Sequence, residues 1–127
     1  MTIRHAALWI DHHEAKIFHV TDDAFDSSTV ESAAAHVHRH PKGGAEPHEH
    51  PADAKHFYDE VARALSDVSE ILVVGPATAK LEFIKHVHKH CHALEPKIVG
   101  VETVDHPTDA QLAAYVRSYF KAADRMR

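Results

Sequence analysis

Three histidines alternate in "HVHRHPKGGAEPHEHP", residues 36–51, at positions 36, 38 and 40, and His48 and His50 close the same stretch. On an extended strand, alternate side chains share one face. Two imidazoles spaced this way reach a single zinc, nickel or copper ion. His48 and His50 supply further ligands if the stretch folds back on itself. A second set lies in "KHVHKHCH", where His86 with His90 and His88 with His92 stand four residues apart. That spacing lets a helix grip a metal from one face. No H-E-x-x-H is present, and the one cysteine, Cys91, cannot build a multi-cysteine zinc site or an internal disulfide.

Histidine is the compositional anomaly, because its 15 copies outnumber the 14 lysines and arginines together. The formal charge is −5 with histidine neutral, so protonation near pH 6 reverses the sign of the net charge. An acidic balance argues against a surface that clamps nucleic acid everywhere, and no DNA partner is expected; a local basic patch stays open. The 127 residues, 44% hydrophobic and 26% charged, suit one domain spanning 1–127 with a single core. No apolar run approaches the roughly 18 residues that cross a bilayer, and "MTIRHAALWIDHH" lacks the form of a secretory signal. A soluble cytoplasmic protein is the expectation.

The elements that must position these residues follow from apolar spacing. "AALWI" and "AKIFHV" flank the polar "DHHE" and read as a hairpin with strands near 5–10 and 14–20. "TDDAFDSS" reads as a loop, and a third strand is expected from Thr29 to His38 on Val30, Ala33, Ala35 and Val37. A His/Gly/Pro-rich loop then spans about 39–51. Phe57, Val61 and Leu65 recur every four residues in a helix near 52–66, with Pro51 suited to its first turn. "EILVVG" and "KIVGVE" are apolar runs too short for helices and read as buried strands. Between them a helix near 77–93 carries Leu81, Ile84, Val87, Cys91 and Leu94 as its stripe, with Glu82, Lys85, His86 and Lys89 pointing away. His88 sits on the flank of that stripe, and Cys91 within it reads as a small core residue. Thr108 and Gln111 form a capping box for a last helix lined by Leu112, Val116, Tyr119 and Phe120. The order β-β-β-α-β-α-β-α predicts a mixed α/β sheet with helices on both faces.

In "ILVVGPATAKLEFIKHV" a buried strand ends in Gly75-Pro76, followed by Lys80, Phe83 and Lys85. This resembles the middle domain of archaeal and eukaryotic class-I peptide-chain release factors and of Pelota, in which the motif joins a central strand to the next helix. The resemblance implies a ribonuclease-H-like fold, in agreement with the element order. It also implies a working loop between the third strand and the first long helix, where the release factors carry Gly-Gly-Gln. Here "PKGGAEP" fills that interval: Gly43 and Gly44 match the glycines, and Ala45 stands where the glutamine belongs. A methyl group cannot hydrogen-bond the attacking water, so peptide release by the family mechanism is not expected. Pelota-type domains also lack the tripeptide.

Lys80, Lys85 and Lys89 are expected on an exposed positive face of the second helix, with Arg39 and Lys42 adding charge at the glycine loop. Such groups suit phosphate contacts on ribosomal RNA or tRNA. A two-metal nuclease needs converging carboxylates. Asp11 and Asp105 are the acids nearest the strand ends, Glu60 faces outward on its helix, and Asp11 is at least as good a turn residue. The sequence therefore points to a translation-associated protein that binds ribosome or tRNA without release activity. The alternatives are a histidine-rich transition-metal-binding protein on the same scaffold, and a purely structural module.

Overall fold

The computed structural model describes residues 5–21, 24–32 and 51–125. Strands β1 (His5–Ile10), β2 (Glu14–Val20) and β3 (Phe25–Glu31) come first, followed by helix α1 (Pro51–Ala64) and strand β4 (Glu70–Gly75). Helix α2 (Ala79–His90), a 3₁₀ turn (Glu95–Lys97), strand β5 (Ile98–Thr103) and helix α3 (Asp109–Arg125) complete the chain order. The five strands form one sheet in the order β3-β2-β1-β4-β5. β1, β2 and β3 pair antiparallel, whereas β4 pairs parallel with both β1 and β5. This is the mixed α/β architecture expected from the element order.

β1 and β4 are apolar on both faces because both faces are covered. Ala6, Leu8, Ile10, Ile71 and Val73 pack with Phe57, Val61, Leu65, Phe83 and Val87 of α1 and α2. Ala7, Trp9, Leu72 and Val74 turn the other way, onto Leu112, Val116 and Phe120 of α3. Tyr119 lies against this second core and donates its hydroxyl to the Val99 carbonyl oxygen at 3.2 Å, crossing Gly100, where a Cβ would overlap it. The capping box holds: Gln111 N–H donates to Thr108 Oγ1 at 3.1 Å, and Thr108 N–H donates to Gln111 Oε1 at 2.9 Å.

The third strand differs from its expectation. It begins at Phe25, inside the stretch read as a loop, and ends at Glu31; positions 33–38 of the expected strand lie outside the described residues. β3 is a largely exposed edge strand in which Val30 alone packs partly against the first core, so "FDSSTVE" carries almost no apolar alternation. Its place is set by pairing with β2, in register from Val20↔Phe25 to Glu14↔Glu31. The connection is tightened by Thr21, whose N–H and hydroxyl both donate to the Ala24 carbonyl oxygen. The second helix is also shorter than expected, and Leu81, assigned to its stripe, is 49% exposed.

β1 and β4 approach closely at their C-terminal ends. A Cβ on Gly75 would overlap the Ile10 carbonyl oxygen, so no other residue fits there without moving one strand. Gly75→Ala is expected to destabilise the fold by about 1–3 kcal/mol in urea denaturation. An unchanged midpoint would contradict the close approach.

Candidate functional site

β4 leads through Gly75 directly into α2, and α1 lies beside α2 on the same face of the sheet. The seam between these helices is where potential ligands meet. His86 is buried, at 8% exposure, and its Nε2 is 2.7 Å from Asp59 Oδ1 on α1. Lys55, one turn before Asp59, donates from Nζ to Asp59 Oδ2 at 3.2 Å. The His86 ring also leans on Tyr58, with centroids 5.6 Å apart, and on His90, at 5.0 Å. Cys91 caps α2, its N–H donating to the Val87 carbonyl oxygen at 2.9 Å. One ligand atom each from Asp59, His86 and Cys91 lies within 4.8 Å of the other two. Among the described residues, this is the one group of three or more metal-ligating side chains brought together so closely.

The seam's electrostatics follow from partial burial. Desolvation pushes the Asp59 carboxyl up, but hydrogen bonds from His86 and Lys55, with their charges, outweigh it and hold the group below its ordinary value. Burial, and next the Asp59 charge, raise the Cys91 thiol, with a partial offset from Lys55. Beside it lies a cleft of about 330 Å³ whose lining includes Asp59, Arg63, Ser66, Cys91 and Lys97.

The candidate residues fall unevenly on this framework. His36, His38, His40, His48 and His50, Arg39 and Lys42, and Gly43, Gly44 and Ala45 all lie outside the described residues. His86, expected to point away from the core, is instead buried, because Asp59 gives its imidazole a partner on α1. His88, placed on the flank of the apolar stripe, is exposed and pairs with Glu95 at 2.7 Å. Lys80 is not part of an exposed face: it is buried at 6% exposure, and its Nζ donates to the Ala77 carbonyl oxygen. It thereby ties the strand-to-helix turn, while neighbouring Ala79 and Phe83 enter the core. Lys85, His88 and Lys89 are exposed and occupy one side of α2 at i, i+3 and i+4, and His92, just beyond the helix end, sets its ring 6.2 Å from that of His88.

Asp11 is a turn residue, its Oδ1 accepting from the N–H groups of His13 and Glu14, both at 2.8 Å. Asp59 escaped sequence reasoning because 27 residues separate it from His86, and no local spacing connects them.

No family model and no curated protein matches this sequence. Solved structures do match. The Pelota protein of Thermoplasma acidophilum superposes with a TM-score of 0.64 at 16% identity, over 91% of this chain and 32% of that one. The fold is similar to Pelota's. Archaeoglobus fulgidus Pelota gives 0.61 at 15% identity, over 98% of this chain and 38% of its own. An archaeal translation termination factor gives 0.57 at 13% identity, over 97% of this chain and 39% of its own. The chain thus spans a third to two-fifths of the proteins it matches.

Glu82, in the first turn of α2, links three elements. It accepts from Tyr58 Oη at 3.2 Å and Thr78 Oγ1 at 3.3 Å, and it pairs with His12 Nε2 at 3.0 Å. Desolvation raises its carboxyl, but the His12 hydrogen bond and charge, with Tyr58 and Thr78, bring it below the ordinary 4.5. A depressed carboxyl contributes stability that is fully present above pH 4.5 and is lost as pH falls through the lowered value. Glu82→Gln is expected to lower stability at pH 6 by about 0.5–1 kcal/mol, a small figure because the side chain is largely solvated. Chemical denaturation across pH should show the deficit shrinking below 4.5. A deficit constant with pH would contradict the assignment.

Proposed function

We propose that this chain is a translation-associated module that binds the ribosome or tRNA and does not hydrolyse the peptidyl-tRNA ester. The fold likeness to two Pelota proteins and to an archaeal translation termination factor carries the reading. The strand-to-helix junction that prompted the sequence resemblance fits this picture, with β4 ending at Gly75 and α2 opening at Ala79. Ala45, where release factors use glutamine, supports binding without release chemistry.

On this reading the exposed side of α2 meets phosphate. Lys85 and Lys89 stand one turn apart and free of the core, and His88 and His92 add charge there when protonated. Lys80 serves the junction instead, so its replacement would mix folding with binding.

The test is co-sedimentation of the untagged chain with ribosomal particles at several salt concentrations. Binding should weaken with salt, and Lys85→Ala with Lys89→Ala should lower the slope of log affinity against log salt by roughly 1.5. No hydrolysis of peptidyl-tRNA above background should accompany binding. A chain that never travels with ribosomal particles or RNA would remove this reading.

A further inference from the structure

The group formed by Asp59, His86 and Cys91 has no part in the proposed RNA contact. It occupies the α1–α2 seam and the end of α2, and it joins three different donors: a carboxylate oxygen, an imidazole nitrogen and a sulfur. We propose that these three side chains form a binding site for a divalent transition-metal ion of the zinc type. Carboxylate, imidazole and thiolate together suit zinc.

The spacing is close to what such an ion requires. A tetrahedral zinc ion holds its ligand atoms roughly 3.3–3.8 Å apart. Here all three lie within 4.8 Å of one another, with His86 Nε2 and Asp59 Oδ1 2.7 Å apart, so an ion entering between them must part that pair. Two of the three are set by regular structure, since Asp59 projects from α1 and His86 from α2, with Lys55 holding the second oxygen of Asp59. Cys91 is fixed by its backbone bond to Val87 at the helix end.

Charge also matches. A carboxylate and a thiolate balance a dication and the imidazole enters neutral, so the ion with its three ligands carries no net charge, while Lys55 stays beside the second oxygen of Asp59. Binding transfers the thiol proton to solvent, moves the His86 Nε2 proton to Nδ1 or to solvent so that Nε2 can ligate, and replaces the hydrogen bond between His86 and Asp59 by bonds to the ion.

The adjoining cleft is an independent observation. Asp59 and Cys91 both line its space of about 330 Å³, so an ion held by three protein ligands keeps an open side. A water molecule or a small anionic ligand completes four-coordination from there, and Arg63 and Lys97, the latter donating to the Ser66 carbonyl oxygen, bring positive charge to the same lining. His90, although its ring stands beside His86, is not one of the three converging ligands. The site therefore differs from the helical His86/His90 pair that spacing suggested.

Cys91 is the chain's sole cysteine, so its sulfur reports on this place alone, whatever the other histidines bind. The experiment measures alkylation of Cys91 in the untagged full chain with zinc ion as the probe. Saturating zinc should slow alkylation at least about tenfold, a chelator should restore it, and cobalt should give a thiolate charge-transfer band. Asp59→Asn and His86→Gln, checked for folding by circular dichroism, should each weaken the protection about tenfold. His88→Ala with His92→Ala should leave it intact. An alkylation rate unchanged by zinc in the wild-type chain would overturn the proposal without recourse to any variant. So would protection undiminished in folded Asp59→Asn and His86→Gln. Ribosome binding is read separately, so failure of one assignment leaves the other standing.

Discussion

The parallel pairing of β1 with β4 is the contact on which the rest of the structure depends. β4 therefore also runs parallel to β3, and since parallel strands cannot be joined by a tight turn the chain passes from β3 to β4 through a connection that includes α1. β1 and β4 are then buried on both faces, which requires α1 and α2 on one side and α3 on the other. The pairing is close enough at its end that Gly75 meets the Ile10 backbone, and α2 starts four residues later. The α1–α2 seam is a product of that geometry. Asp59 meets His86 because the crossover helix and the next helix share one face of the sheet.

The same constraint explains what the sequence revealed. β1 and β4 were readable because two covered faces demand unbroken apolar runs, and the helices because a stripe every three or four residues is visible in one line of text. The Thr108–Gln111 cap was equally local. β3 was misplaced because a largely exposed edge strand needs little apolar pattern, and its register comes from β2. Leu81 was assigned to a stripe by spacing, yet the first turn of α2 turns Ala79, Lys80 and Phe83 inward instead. Lysine at such a position reads as surface, and only the Ala77 carbonyl near its ammonium explains why it is not.

The site was less legible than the fold, for a related reason. Helical i, i+4 spacing identifies neighbours on one helix, whereas His86 finds its partner on another. The buried imidazole is held by a carboxylate 27 positions earlier, and Cys91 joins them only because α2 ends there. Of the three lysines grouped on one face of α2, Lys85 and Lys89 are exposed and Lys80 is not. A two-sided arrangement results, with a carboxylate, an imidazole and a thiol in the seam and exposed lysines on the same helix.

The proposed role sets that exposed lysine side against RNA, and site-specific photo-cross-linking on ribosomes tests it most directly. A photo-reactive residue placed at position 85 or 89 should capture ribosomal RNA or tRNA. The same residue at position 25, on the exposed edge strand, should capture far less. Equal capture from all three positions, or none from 85 and 89, would contradict the account.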